Sequence, residues 1–199
     1  INVYIVKGDK MNGIKIFNKV IEDNLIINNK FLSGRAAYLP TYSGIFRNLK
    51  SSEKVRAEIL ESKEITVPPI LIISVTNDCN LDCIGCYANS QERCRDDEMS
   101  VADIERIVDE GASAGVSMVF LAGGEPLMKE GLLDIPKRFS NVLFVMFTNG
   151  LMIDNDKMAQ LKKIKNIVPA FSLEGNEEQT DIRRGKGVHK AIYSVMNSM

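Results

Sequence analysis

The chain has 199 residues, 45% of them hydrophobic, and a formal net charge of −1. That length supports one or two domains with a sizeable core, and the near-neutral balance excludes binding to nucleic acid or a membrane surface by bulk electrostatic attraction. No apolar run reaches the ~18–20 residues that span a bilayer, and the opening INVYIVKGDK lacks a signal-peptide pattern.

A cytoplasmic location is therefore expected, where clustered cysteines bind metal or react more often than they form disulfides. In chain order, Ile14, Phe17, Val20, Ile21 and Leu25 recur at helical spacing and predict a helix over 11–27. SGRAAYLPTYSG (33–44) carries turn signals without a period. Ser51 or Ser52 is expected to cap a second helix with Val55, Ile59 and Leu60 on one face. Pro68-Pro69 marks a boundary, so residues 1–67 read as a mainly helical extension and 68–199 as the main domain.

Beyond that boundary the pattern is regular. Strands are expected at 70–76, 116–122, 142–148 and 167–173. Between them fall a helix capped by Ser100, with Asp103 completing a capping box, a short helix over 131–139 and another near 155–164. A last helix covers 188–199. This βαβαβαβα order makes an α/β fold with a parallel sheet covered by helices. A doubly wound sheet and a partial (β/α) barrel both satisfy it.

The unusual residues all fall at the carboxyl ends of those strands, where parallel α/β folds place ligands. The first strand runs into NDCNLDCIGCYA (77–88), which holds Cys79, Cys83 and Cys86. Three thiolates in one loop can surround a compact metal centre, leaving one position open. Adding Cys94 would instead close a four-cysteine site in a non-enzymatic metal-binding or electron-transfer module. The second strand ends in GGEP (123–126), where two glycines permit close backbone approach and Glu125 offers a carboxylate suited to an ammonium. The third ends in TNG (148–150) and the fourth in SLEG (172–175), with Ser172 and Glu174 on the same side. His189, the sole histidine, is expected on the surface, and Met118 and Met146 in the core.

CNLDCIGCYA, AGGEPL, TNG and SLEG, in that order and on successive strands, resemble the radical S-adenosylmethionine (radical SAM) superfamily over about two-thirds of the chain. DIRRGKGVHKAI (181–192) is similar to the branch of peptide-modifying enzymes with further C-terminal clusters of the SPASM type. The resemblance implies a 4Fe-4S cluster on Cys79, Cys83 and Cys86. S-adenosyl-L-methionine would chelate the fourth iron, and an electron from the cluster would cleave it to a 5′-deoxyadenosyl radical that abstracts hydrogen from a peptide or small-molecule substrate.

It further implies that Gly123, Gly124 and Glu125 hold the methionine ammonium, that Pro126 belongs to the same cofactor-binding stretch and that Ser172 bonds the cofactor. Asn149 and Arg183 would line the pocket or meet the carboxylate. An electron donor such as reduced flavodoxin or ferredoxin is implied as partner. Gly85 stands where the family places an aromatic residue, and Tyr87 follows the third cysteine instead. The family core is a six-stranded partial barrel. With four βα units counted here, the chain is expected to lack its last two strands.

Overall fold

The computed structural model describes residues 39–88 and 98–199, with side chains from residue 43. The helix expected over 11–27 and Cys94 lie outside the described residues.

Four strands form one parallel sheet: β1 (Ile70–Ser74), β2 (Met118–Ala122), β3 (Leu143–Thr148) and β4 (Ile167–Phe171). Their spatial order is their sequence order, β1-β2-β3-β4. A doubly wound sheet reverses direction at a switch point; this one never does. With right-handed crossovers, unbroken progression puts every connecting helix on the same face. The sheet is thus a stretch of barrel wall, which settles the alternative that periodicity left open.

Alternation along the strands separates the two faces. Ile73, Val75, Val119, Leu121, Phe144, Met146 and Ile167 point toward the connecting helices and are buried. Helix α2 (Val101–Ser113) covers them with Ile104 and Val108, α3 (Asp134–Arg138) with Ile135, and α4 (Asn155–Lys163) with Leu161. The Ser100–Asp103 capping box opens α2 as expected: each residue's side chain accepts the other's backbone N–H.

The opposite, concave face carries Ile72, Phe120, Val145, Phe147 and Val168. Its amino-terminal end is covered by a long helix, α1 (Leu39–Lys63), whose Ile45 and Leu49 pack on Met118 and Leu143. Arg56 of α1, itself buried, donates to the carbonyl of Gly115 in the turn before β2. Toward the carboxyl end no described element covers the face: Ile72 is 67% exposed, and Phe147 meets Phe120 edge to face at 5.6 Å.

The structure corrects two expectations about the helices. Ser51 and Ser52 do not cap a helix; both lie inside α1, which begins within the stretch read as turns. Pro40 is tolerated because it occupies the first turn, where its missing N–H is not needed. The buried stripe is Ile45, Leu49, Ser52 and Arg56, while Leu60 faces solvent. The second correction adds an element, α5 (Glu177–Arg184), started by a capping box between Asn176 and Gln179. Its polar sequence has no apolar stripe to announce it. Helix α6 (Val188–Ser198) follows it. Met118 and Met146 are core residues, as expected. His189, expected on the surface, is half-buried, with its ring 4.5 Å from that of Tyr193 and its backbone N–H donating to Asp181 Oδ1 at 2.9 Å.

Candidate active site at the carboxyl ends of the strands

The first site element is the loop after β1. Val75 N–H continues the ladder to Ala122, and then the backbone turns across the end of β2. Gly124 N–H donates to Thr76 C=O at 2.8 Å and Glu125 N–H to Asp78 C=O at 2.7 Å. A Cβ on Gly124 would lie 2.1 Å from the Asp78 oxygen, and one on Gly123 2.4 Å from the Thr76 oxygen. Both glycines are therefore required by the cysteine loop itself. The close approach expected for a ligand is made first by the protein's own backbone.

A polar knot fixes both flanks of that loop. Glu98 accepts from Thr76 Oγ1 at 3.0 Å, Asn77 N–H at 2.6 Å and Lys129 Nζ at 3.0 Å. Burial pushes the Glu98 carboxyl up, but the Asn77 N–H, Lys129 and Thr76 together hold it below the usual carboxylate range. Nothing in the sequence pairs Glu98 with Thr76; only their tertiary meeting does.

Cys79, Cys83 and Cys86 are all half-buried and none is in a disulfide. Between the second and third, Cys86 N–H bonds Cys83 C=O at 3.2 Å, closing a four-residue turn. Gly85 is its third residue, with φ +70°. That left-handed position favours glycine, which accounts for the missing aromatic residue: in this turn conformation a side chain is strained. Tyr87 instead reaches back, its hydroxyl donating to Gly123 C=O at 3.1 Å. Among the described residues, no three His, Cys, Asp or Glu side chains are gathered tightly enough for one metal ion. A four-iron cluster makes a looser demand, since each thiolate binds a different iron.

Glu125 departs from expectation. Its carboxylate is not at the mouth of the sheet but wholly buried, at 0% exposure. It accepts from Thr148 Oγ1 at 2.8 Å, Asn149 N–H at 2.8 Å and Leu127 N–H at 3.2 Å. Thr148 Oγ1 in turn accepts from Gly150 N–H at 2.9 Å, so its proton goes to Glu125. Burial pushes the Glu125 carboxyl up, against the pull of these donors. The side chain ties β2 to the end of β3 through Thr148 and Asn149. Pro126 beside it is also buried and opens a short 3₁₀ turn.

Asn149 is held at both ends of its amide. Oδ1 accepts from Leu151 N–H at 2.9 Å, and Nδ2 faces Asn80 Oδ1 at 2.7 Å and Cys79 Sγ at 3.9 Å. Ser172 lies on the concave face, and its N–H extends the β3–β4 ladder to Thr148 C=O at 3.0 Å. Glu174 and Arg183 pair at 2.7 Å, and Arg184 binds Glu174 at 2.6 Å. The Arg184 hydrogen bond leads in holding the Glu174 carboxyl below its ordinary range. Arg183 also exchanges bonds with Ile84: Ile84 N–H donates to Arg183 C=O at 2.8 Å, and Arg183 Nε to Ile84 C=O at 3.2 Å. α5 thereby clamps the turn between two cysteines, a contact with no sequence signal.

All the expected motifs thus meet at one end of the sheet. The profile of the Radical SAM superfamily matches residues 73–198. Fe-coproporphyrin III synthase of Methanosarcina barkeri is 31% identical over 153 residues, covering 75% of this chain and 38% of that protein. GTP 3′,8-cyclase of Clostridium perfringens is 31% identical over 133 residues, covering 63% of this chain and 41% of that one. The chain spans about two-fifths of the length of these relatives. Among solved structures, Streptococcus suis SuiB bound to S-adenosylmethionine aligns with a TM-score of 0.57 at 22% identity, covering 71% of this chain and 35% of that one. That likeness is one of fold. With four strand-end motifs converging and a family profile spanning most of the chain, the chain belongs to the radical SAM superfamily.

Proposed function

We propose that this chain carries the core of a radical SAM enzyme, with residues 68–199 as the core domain. Cys79, Cys83 and Cys86 would hold a 4Fe-4S cluster. Three half-buried thiols on one loop, free of disulfides and with an N–H donor at the first sulfur, suit that group. When bound, such a cluster and S-adenosyl-L-methionine supply reductive cleavage of the sulfonium to a 5′-deoxyadenosyl radical, which takes hydrogen from a substrate.

The residues divide the remaining work. An ammonium only donates, so it needs acceptor oxygens. Because the Glu125 carboxylate is enclosed, the backbone carbonyls of Gly123 and Gly124 are the acceptors proposed for the cofactor's amino group. Ser172 on the concave face and Arg183 at its rim are proposed for the polar groups of the cofactor. The ring of Tyr87, anchored by its hydroxyl and 62% exposed, offers an apolar surface beside the cysteine loop. Ile72, Phe120 and Phe147 line the open part of the concave face with apolar side chains, which favour a site that excludes water.

For the substrate we propose a peptide or a small molecule. A peptide is supported by the likeness in fold to SuiB bound to its precursor peptide SuiA (TM-score 0.56), a small molecule by the relatives named as synthase and cyclase. A reduced flavodoxin or ferredoxin is proposed as electron donor. Among the described residues no helix is long and apolar enough to cross a membrane, and a cytoplasmic location is proposed.

The convergence of the cysteine loop and GGEP at adjacent strand ends carries this proposal. The test is anaerobic reconstitution of the full-length protein, followed by S-adenosylmethionine and dithionite. Formation of 5′-deoxyadenosine, lost in Cys79→Ser, Cys83→Ser or Cys86→Ser and kept in Cys94→Ser, is expected. A reconstituted protein that forms none, or a Cys94→Ser variant stripped of iron, overturns it in favour of a four-cysteine metal module.

A further inference from the structure

We infer that Asn149 is a positioning residue for the cysteine loop, one that holds a fixed N–H donor against the sulfur of Cys79 and so sets the electron affinity of the centre bound there. The inference rests on the proposed role of Cys79 as a cluster ligand.

Three observations support it. First, the amide has a single orientation. Its oxygen is committed to Leu151 N–H at 2.9 Å and its nitrogen to Asn80 Oδ1 at 2.7 Å. Flipping it would set oxygen against oxygen and N–H against N–H. One of the two Nδ2 hydrogens serves Asn80, and the other is left for Cys79 Sγ at 3.9 Å.

Second, the backbone beneath it is locked. Asn149 N–H is bound to the buried Glu125 carboxylate at 2.8 Å, and Thr148 is bound to the same group. Asn149 is itself only 6% exposed. The donor is thus carried on rigid strand-end structure rather than on a mobile loop. Third, the contact joins the cysteine loop to the TNG strand end, since Cys79 and Asn149 are 70 positions apart in sequence.

An N–H aimed at a ligand sulfur stabilises the more negative state of a cluster, and hydrogen bonds to sulfur are among the factors that set cluster potentials. Losing one such donor is expected to reduce the equilibrium constant for cluster reduction by up to about tenfold. Asn149→Ala removes the donor. Asn149→Asp replaces it with an acceptor, faces Asn80 Oδ1 with oxygen, and is expected to shift the potential further in the same direction.

The experiment is a redox titration followed by electron paramagnetic resonance on reconstituted wild type, Asn149→Ala and Asn149→Asp. Iron and sulfide contents are measured first. Wild-type protein that binds no cluster fails at that step, and the proposed function fails with it. With cluster content matched, a more negative midpoint in Asn149→Ala and a still more negative one in Asn149→Asp are expected. Unchanged midpoints with full clusters overturn this inference and leave the proposed function standing. If the variants do not retain iron, wild-type protein labelled with side-chain ¹⁵N-asparagine decides the matter: a nitrogen hyperfine coupling to the reduced cluster is expected, and its absence overturns the inference.

Discussion

Gly124→Ala isolates what holds the cysteine loop in place. The added methyl would sit 2.1 Å from Asp78 O, 2.6 Å from Asp78 C and 3.0 Å from Asn77 O, all backbone atoms. No flexible side chain can give way, so the loop must move off the end of β2. Two short backbone hydrogen bonds are then at risk: Gly124 N–H to Thr76 C=O and Glu125 N–H to Asp78 C=O. At about 1 kcal/mol each, with about 1–3 kcal/mol for overpacking, the expected cost is roughly 3–5 kcal/mol. For a chain of this size each kcal/mol shifts the melting temperature by about 2–4 °C, so a fall of roughly 6–20 °C is expected. The assay is a thermal melt of cluster-free protein, paired with iron content after reconstitution. If the loop detaches locally before the core unfolds, the melt moves less and the iron loss carries the signal. A variant that melts with wild type and also holds wild-type iron refutes the reasoning. The glycines would then answer to a ligand alone.

Two further outcomes follow from the same loop. Glu98 has a folded pKa below its ordinary value, so its contribution is present above the usual carboxylate range and is lost as pH falls through the folded value. Glu98→Gln should therefore lower urea stability near neutrality, and the gap between the two proteins should narrow as pH falls into and below the usual carboxylate range; a gap that widens with acid would contradict the sign. Gly85→Tyr restores the family's aromatic residue where nothing lies within 4 Å of a Cβ, but at φ +70°. A loss of about 1–2 kcal/mol, the backbone strain alone, is expected in denaturant melts, and a loss beyond about 4 kcal/mol would mean that the left-handed φ is not the main obstacle to an aromatic residue there.

Much of this molecule is legible from residue order because its signals are local. Apolar β-branched runs such as ILIIS, the Ser100–Asp103 capping box and the turn glycines depend on neighbours within a few positions. The cysteine spacing and GGEP are short and specific, so the family was readable too. What failed was also local in origin. Ser51 and Ser52 are good caps in isolation, but burial of Ile45 and Leu49 against the sheet carries one helix straight through them. The start of α1 at LPTYSG and the polar α5 had no periodic pattern to reveal them.

By itself, then, the sequence determined the parallel α/β class, the three thiols and the strand ends that bear the motifs. Only the tertiary structure decided how those ends are used. The barrel-like winding is a matter of strand order, and strand order depends on contacts far apart in the chain. Glu125, by residue type a candidate for an ammonium, is claimed by Thr148 and Asn149, because a buried carboxylate must satisfy its oxygens from whatever donors packing brings within reach. Glycines that read as room for a ligand serve first to let two strand ends touch. Gly85, the departure from the family pattern, is the left-handed corner of a turn that closes between the second and third cysteines.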